Sequence, residues 1–354
     1  MCIQNYEILS GDNLVALWNN NELTIYNEKL LPLFLRNFHN ADAWLKKRAI
    51  DSHRAHSRLL KKALRMSEKD DLATVIKANG ATITDNYWIR EPGSSLKYAD
   101  VKFDEIYFNK AVSKSAANLA LCGRSSSFNY VALHSGLPTA ELTNTGSFEK
   151  CWKNINGVWW MYKSATIGEA FSEIFISNLC NELGIKCADY SREKSYVKTP
   201  DFTEGKYNFE PAFTFMDEEE DYDKTIKKLE EICPKAIPDY IKMIFLDALI
   251  FNPDRHTANF GLLRDKKNGK LIGFAPCFDH NMALISRGYP SGKCKKDLLI
   301  TLFRDIIEKY PQYKKYIPVV TEQTIDDALV KTGMNVKKEV IRQYILQKYN
   351  LIIS

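Results

Sequence analysis

The stretch that decides the fold and chemistry of this chain is Asn252-Pro-Asp-Arg-His-Thr-Ala-Asn-Phe-Gly261. An apolar helical pattern precedes it, and an apolar strand begins at its end. The chain then turns, and a second strand, Leu271–Phe274, returns and runs into Pro276-Cys-Phe-Asp-His280. Because a hairpin brings the chain back to the edge where it started, we expect Asp279 to lie beside Asn259.

This arrangement predicts a site for phosphoryl transfer. Asp254 is a carboxylate that can meet a substrate hydroxyl, and Asn259 with Asp279 can hold Mg²⁺, which prefers hard oxygen ligands and few carboxylates. Phosphoryl transfer needs positioning and charge neutralisation more than covalent chemistry, so this small set suffices. The catalytic loop of protein kinases has the same Asp-to-Asn spacing, followed by a hairpin and a metal-binding Asp.

A nucleotide site also needs a cation for the phosphates, and Lys163 ends the predicted strand Gly157–Lys163. This lysine needs an acidic partner from the helix predicted over Gly168–Leu183. Glu169 and Glu173 lie one turn apart on the same face of that helix, and either can serve.

Two further segments stand where a nucleotide site requires them. Thr143–Lys150, before the lysine strand, has the small residues and free N–H groups of a phosphate-covering loop. Phe213–Asp217, before the helical half, is placed as a hinge for adenine. The residues predicted to contact the nucleotide in these segments are Gly146, Ser147, Phe215 and Met216.

Length and composition indicate an ordinary cored protein. The chain has 354 residues, 45% hydrophobic and 26% charged, which excludes a disordered, fibrous or coiled-coil chain. A net charge of +5 is too small for a dedicated nucleic-acid binder. The eight cysteines are dispersed without metal-site spacing, and neither a secretory signal nor a membrane-spanning run is visible. We therefore expect reduced thiols and a cytoplasmic protein.

The pattern along the chain predicts an α+β fold. Leu14–Trp18 and Leu23–Tyr26 read as one hairpin near the N-terminus. Thr74–Ala78 and Ala81–Thr84, joined by Asn79-Gly80, read as a second. A strand is predicted over Phe209–Met216, and helices dominate the remainder of the chain.

We expect a bilobal body with a β-rich N-terminal part and a mainly helical C-terminal lobe. Residues 1–140 form an N-terminal β/helical subdomain in this prediction. Residues 141–217 form an N-lobe with the phosphate loop, the lysine and the hinge, and residues 218–354 form the helical C-lobe with the catalytic loop.

The segment Trp44–Lys69 is rich in Lys and Arg and poor in acidic residues. It can form a surface for RNA, DNA or another polyanion. It can also be the solvated face of a helix, and we favour this second interpretation.

The quoted motifs resemble the HipA-like serine/threonine kinases, the kinase-toxin family of bacterial HipBA systems. Asp254–Gly261 and Ala275–Asp279 resemble its catalytic and metal-binding stretches, and Gly146–Lys150 resembles its phosphate loop. The spacing from Glu173 to Leu183-Gly-Ile185 resembles its helix that pairs with the ATP lysine, which favours Glu173 over Glu169.

The resemblance implies an ATP- and Mg²⁺-dependent protein kinase with a kinase-like bilobal fold. Asp254 would be the catalytic base, Asn259 and Asp279 the metal ligands, and Lys163 the phosphate-binding lysine. His256 would support the nucleotide site by hydrogen bonding. In that family a loop serine can be autophosphorylated, which expels the loop and switches the enzyme off. Ser147 is the candidate for that serine.

The partners that follow are a protein substrate with Ser or Thr and, for a toxin-like kinase, a cognate antitoxin. The prediction includes neither nucleic acid as a direct substrate nor a membrane. Two alternatives stay open: a lipid kinase of the phosphatidylinositol-kinase type, and a non-catalytic nucleic-acid or protein interaction module that uses residues 44–69.

Overall fold

A computed structural model describes residues 5–52, 54, 56–64, 71–103, 110–123, 138–216, 221–290 and 295–354. The chain mixes helices with several sheets, as expected for an α+β protein. It divides into two compact units. The first unit comprises Met1–Ser164, Lys198–Glu210 and Leu263–Leu271, and the second comprises Ala165–Val197, Pro211–Leu262 and Ile272–Ser354. The three segments anticipated from the sequence stay a prediction.

The first unit begins with an antiparallel sheet. Its strands are β1 (Asn5–Ser10), β2 (Asn13–Asn19), β3 (Glu22–Ile25) and β4 (Tyr87–Arg90), in the order β3-β2-β1-β4. The tight turn between β2 and β3 uses Asn20 and Asn21, both at positive φ, which asparagine tolerates. The predicted N-terminal hairpin is therefore confirmed.

Six helices also belong to the described part of this unit. They are α1 (Leu33–Phe38), α2 (Ala41–Lys46), α3 (Ser57–Ala63), α4 (Asp71–Lys77), α5 (Tyr98–Val101) and α6 (Lys110–Cys122). One apolar cluster joins Leu9 and Trp88 of the sheet to Leu60 of α3 and Leu119 of α6, and Leu142 completes it. Burial of these side chains is the main stabilising contribution in the unit.

The predicted hairpin around Asn79-Gly80 is wrong. Residues 71–77 form α4, and residues 81–84 form no strand. Asn79 and Gly80 do take positive φ, but they end the helix, because the Gly80 N–H donates to the Val75 carbonyl at 2.9 Å. An Asn-Gly pair requires a left-handed turn and does not say which elements flank it.

The same dipeptide forms a hairpin elsewhere in the first unit. Asn156 and Gly157, at φ 53° and 82°, are the two-residue loop between β5 (Lys150–Ile155) and β6 (Val158–Ser164). The strands are antiparallel, with Lys150 opposite Lys163. The predicted lysine strand is confirmed.

The remaining strands are β7 (Ser191–Glu193), β8 (Tyr196–Pro200), β9 (Tyr207–Pro211), β10 (Gly261–Asp265) and β11 (Leu271–Phe274). They give the sheet orders β5-β6-β8-β7 and β11-β10-β9. The chain passes from one unit to the other within β8, β9, β10 and β11. The strand predicted over Phe209–Met216 ends at Pro211, because Ala212–Thr214 form a 3₁₀ turn instead.

The helices of the second unit agree with the prediction that helices dominate the later part of the chain. They are α7 (Ile167–Leu183), α8 (Tyr222–Ile232), α9 (Ile237–Ile250), α10 (Leu298–Lys309), α11 (Glu322–Lys331) and α12 (Lys338–Ile353). Helix α7 ends at Leu183, as predicted, and Gly184 caps it in the left-handed conformation. Helix α9 is buried along most of its length, and Phe245 packs its ring against Phe303 and Tyr349.

The basic segment is only partly the solvated face that we favoured. Arg58 and Lys62 are exposed, but Arg48 and Lys61 are buried and paired. Arg48 forms two 2.8 Å hydrogen bonds to one carboxylate, and Lys61 forms an ion pair of 2.9 Å. Arg54, also buried, is described below. Arg65 and Lys69 lie outside the described residues.

Six cysteines lie within the described residues, and none of these six forms a disulfide: Cys122, Cys151, Cys180, Cys187, Cys233 and Cys277. Across the described ranges, no helix is both long and apolar enough to cross a membrane.

Candidate active site

The predicted catalytic loop follows the most buried helix of the second unit. Helix α9 ends at Ile250, and Phe251 caps it with a left-handed backbone. Asn252 then orders the loop through its side chain, because Nδ2 donates to Asp247 at 2.9 Å and Oδ1 accepts from the Asp254 N–H at 3.3 Å. The loop therefore leaves a rigid helix end in a fixed direction.

Asp254 is a half-buried carboxyl group in this loop. Burial raises its pKa above the usual range, and the charge of Asp279 raises it further. The neighbouring His256 and Arg255 act in the opposite direction. Asp279 thus lies close enough to Asp254 for their charges to interact.

The side chain of Asn259 is fixed by one hydrogen bond. Its Nδ2 donates to the Asp254 carbonyl at 3.1 Å, which determines where the amide oxygen Oδ1 points. Within the described residues, that oxygen accepts no hydrogen bond. Asn259 therefore keeps an oxygen that can bind a cation.

Arg255 joins the two stretches that carry the predicted metal ligands. Its Nη1 donates to the Asn259 carbonyl and to the Phe278 carbonyl, each at 2.8 Å. Its other nitrogens bind Asp247 at 2.9 and 3.0 Å, and both side chains are buried. The charge of Asp247 raises the pKa of Arg255 despite burial. One guanidinium thus holds the main chain on both sides of the site.

Two more side chains hold the main chain around Asp279. The Asp279 N–H donates to the hydroxyl oxygen of Tyr190 at 3.1 Å. The His280 N–H donates to Oε2 of Glu173, on α7, at 2.9 Å. With Arg255 on the carbonyl of Phe278, three consecutive residues are fixed by three different side chains. Asp279 itself adopts a left-handed φ of 61°, which this support maintains.

Helix α7 lies directly against the segment that follows Asp279. Ser172 Oγ donates to the Ala283 carbonyl at 2.7 Å. Gly168 approaches so closely that a Cβ there would lie 2.7 Å from the Ile285 carbonyl oxygen. Gly168, Ser172 and Glu173 therefore form one face of α7 that supports residues 280–286.

The donor set fits Mg²⁺. Asn259 offers an amide oxygen, Asp279 a carboxylate, and the mutual repulsion of Asp254 and Asp279 is what a bound divalent cation relieves. Three or more His, Cys, Asp or Glu side chains suited to a metal do not occur together among the described residues. A site of one carboxylate and one amide agrees with magnesium, which keeps several waters or phosphate oxygens.

The other predicted residues lie as follows. Lys163 is a buried side chain near the end of β6, in the first unit. Gly146 and Ser147 lie in an exposed loop before β5, and Gly146 has φ 94°, which favours glycine.

In the second unit, Phe215 and Met216 are buried in the turn after Ala212–Thr214. The backbone there joins the catalytic loop, because the Phe213 N–H donates to the Thr257 carbonyl at 3.2 Å. Asp217, the last hinge residue, lies outside the described residues. His256 orders its own loop, accepting at Nδ1 from the Ala258 N–H at 3.3 Å.

The sequence argument missed Arg255, Asp247 and Tyr190. A signal existed for one of them: Asp247 is the single charge in the apolar run Ile244–Ile250, and a buried charge needs a partner. Tyr190 gave no such signal, because only the fold brings it to Asp279.

Among solved structures, the chain is similar to HipA in a complex of the Shewanella oneidensis MR-1 toxin–antitoxin system with HipB and operator DNA. The match covers 98% of this chain and 96% of that chain, with a TM-score of 0.54 and 12% identity. The chain has the fold of HipA. The predicted resemblance to HipA-like kinases is thereby confirmed at the level of the fold.

The chain is also similar to CtkA, a proinflammatory kinase of Helicobacter pylori. That match covers 58% of this chain and 91% of CtkA, at a TM-score of 0.43 and 18% identity. No protein-family model matches the sequence, and a search of curated proteins found no relative.

Proposed function

We propose that this chain is a HipA-like, bilobal, cytoplasmic protein kinase that transfers the γ-phosphate of ATP to a serine or threonine hydroxyl. One observation carries the proposal: buried Arg255 ties the backbone of Asn259 to that of Phe278, beside Asp279. Phosphoryl transfer depends on such positioning. The fold of HipA supports the same conclusion.

In this proposal, Asp254 takes the proton of the acceptor hydroxyl. A raised pKa makes a carboxylate a stronger base, and half-burial still lets a substrate reach it. Asn259 and Asp279 hold Mg²⁺ through oxygen atoms. When bound, the ion neutralises charge on the phosphates. Arg255, Tyr190 and Glu173 keep the main chain on either side of Asp279 in place.

The nucleotide contacts follow the sequence prediction. Lys163 binds phosphate oxygens with Glu173 as its acidic partner, and the loop with Gly146 and Ser147 covers the phosphates. Phe215 and Met216 contact the base, and His256 supports the loop.

The first test is transfer of labelled γ-phosphate from ATP with Mg²⁺ to the chain itself or to a generic protein acceptor. Asp254→Asn is expected to lower the rate about 100-fold or more, the usual contribution of a general base. Asp279→Asn is expected to abolish transfer. Asp305→Asn, an exposed carboxylate on α10, is the control and should leave the rate unchanged. If wild-type protein neither binds ATP nor incorporates phosphate, the kinase proposal fails.

The same assay separates the alternatives. Transfer to phosphatidylinositol vesicles without transfer to protein would favour a lipid kinase. Mass spectrometry of the incubated chain tests whether Ser147 receives phosphate, and Lys163→Ala should weaken ATP binding.

A cognate antitoxin is the partner that we propose, since the HipA structure contains HipB. Co-expression with a HipB-like protein, if one is encoded beside this chain, tests that proposal. Relief of growth inhibition and a stable complex are the expected results.

A further inference from the structure

Arg54 is a buried arginine of the first unit whose guanidinium lies against the predicted phosphate loop. Its side chain is 1% exposed and stands just before α3. Its Nη2 donates to the carbonyls of Asn144 at 2.7 Å and of Gly146 at 3.0 Å. Nε also donates to the Gly146 carbonyl at 3.2 Å, and Nη1 donates to the Lys150 carbonyl at 3.3 Å. A single side chain thus holds the loop by its main chain at both ends.

Carboxylates of the loop surround this arginine. The charges of Glu141 and Glu149 favour the charged form of Arg54, although burial dominates and lowers its pKa. Glu141 also accepts from Asn144 Nδ2 at 2.9 Å and from the Trp152 N–H at 2.8 Å, so it spans the loop.

The segment around Arg54 makes one more contact with the loop. The His56 N–H donates to Oε1 of Glu149 at 3.3 Å. Oε2 of the same carboxylate is buried without a hydrogen-bond partner among the described residues. The charges of Glu149 and Arg54 attract each other, which offsets part of the cost of burying this acid.

The orientation of the loop follows from these contacts. Carbonyl groups point toward Arg54, so the N–H groups are left for other partners. Within the described residues, the N–H groups of Thr145, Gly146, Ser147 and Phe148 donate no hydrogen bond. Successive free N–H groups around a left-handed glycine form a concave site that binds anions.

We propose that Arg54 is the positioning residue of the phosphate loop, and that the segment before residue 140 thereby controls nucleotide binding. This inference rests on the proposed kinase function and gives that segment a role. Arg54 does not touch the nucleotide in this proposal. It fixes the carbonyls so that the N–H groups face the phosphates, and loss of its contacts releases the loop.

The test compares Arg54→Lys and Arg54→Gln with Arg48→Gln. Arg48 is a buried, paired arginine of the same segment that binds Asp85 and does not contact the loop. Lysine has one nitrogen and cannot reproduce the guanidinium contacts. Both Arg54 variants are expected to raise the Kd and KM for ATP at least about tenfold, with kcat changed much less. Arg48→Gln should lose stability without that effect.

Hydrogen exchange of the loop amides in the nucleotide-free chain gives a second, independent measurement. The N–H groups that donate to Glu141 and Glu149 at the ends of the loop, those of Asn144, Trp152 and Ser164, should exchange faster in Arg54→Lys and at the wild-type rate in Arg48→Gln. Unchanged loop exchange in Arg54→Lys, or equal loss of ATP affinity in Arg48→Gln, would overturn the inference. If wild-type protein binds no ATP, the proposed function fails, whereas the exchange data still decide whether Arg54 orders the loop. If Arg54→Gln does not fold, Arg54→Lys decides.

Discussion

Asp247 holds Arg255 by two hydrogen bonds, from Nε at 2.9 Å and from Nη2 at 3.0 Å, in a fully buried ion pair. This fixes the plane of the guanidinium, so that Nη1 points at the carbonyls of Asn259 and Phe278. Asp247, a residue of helix α9, therefore orients both the loop with Asn259 and the segment with Phe278 by holding Arg255.

The first prediction concerns this pair. Arg255→Lys keeps the charge but cannot span Asp247 and two carbonyls with one nitrogen. We expect a loss of about 3 kcal/mol in the free energy of unfolding. We also expect a fall of about 100-fold in the transfer rate, because the site loses its alignment. Urea unfolding and the labelled-ATP assay measure the two effects. Arg192→Lys, at an exposed position, is the control, and a wild-type rate in Arg255→Lys would contradict the positioning role.

The second prediction concerns the close approach of α7 to the segment after Asp279. In Gly168→Ala, the new Cβ would meet the Ile285 carbonyl oxygen at 2.7 Å, and a backbone atom cannot yield cheaply. We expect a net loss of about 1–3 kcal/mol in thermal or urea unfolding, despite the better helix propensity of alanine. Asn181→Ala, exposed on the same helix, should be neutral. A more stable Gly168→Ala protein would show that the contact is loose.

The third prediction concerns pH. Burial raises the pKa of Glu141 from 4.5 to about 7, although Asn144, the Trp152 N–H and Arg54 act against the shift. Between these values, the folded chain keeps a proton that the unfolded chain releases. This contribution to stability is therefore complete below pH 4.5 and is lost as the pH rises through about 7. The loss amounts to about 3 kcal/mol.

The glutamine in Glu141→Gln is neutral at every pH. The variant should therefore show a flatter dependence of the free energy of unfolding on pH in this range. Urea unfolding of wild type and variant from pH 4.5 to 8 measures the difference, with Glu308→Gln as an exposed control. If the free energy of unfolding changed with pH in parallel for wild type and Glu141→Gln, Glu141 would be excluded as the source of the pH-dependent loss of stability.

The fourth prediction concerns the basic segment. Arg58 and Lys62 are exposed, so the double change Arg58→Glu, Lys62→Glu should leave folding and phosphate transfer unaltered. Lys61→Glu should destabilise the fold by several kcal/mol, because Lys61 is buried and paired with Asp71. A salt-sensitive RNA shift, lost only in the double variant, would instead support the interaction-module alternative.

Local spacing made part of the site predictable. Asp254, Asn259 and Asp279 follow from one loop and one hairpin, and their proximity needs no knowledge of the remaining chain. Tyr190 could not be assigned in this way, because Asp279 lies far from it in the sequence. Arg255 has Asp247 and Asn259 nearby, but its contact with Phe278 depends on the hairpin. Arg54 looked like part of a solvated face, although about ninety residues separate it from the loop that it holds.

Prediction of the fold was limited in the same way, because local patterns do not report contacts between distant parts of the sequence. Helix α7 was predictable almost to the residue, since its apolar periodicity is local. The Asn-Gly pairs at 79–80 and 156–157 both form left-handed turns, yet one ends a helix and the other joins two strands. Whether such a pair ends a helix or joins two strands is decided by the elements on either side of it. Those elements depend on packing against the core.

The passage of the chain through β10 and β11 has a consequence for how the protein is made. Residues 263–271 belong to the first unit, and Arg264 among them donates to the carbonyls of Lys29 and Leu31 and pairs with Glu210. During synthesis, the N-terminal part must therefore wait for residue 271 to leave the ribosome before its polar core is complete. By then Asp254 and Asn259 have also emerged, so the growing chain cannot finish its first unit before the loop of the candidate site exists.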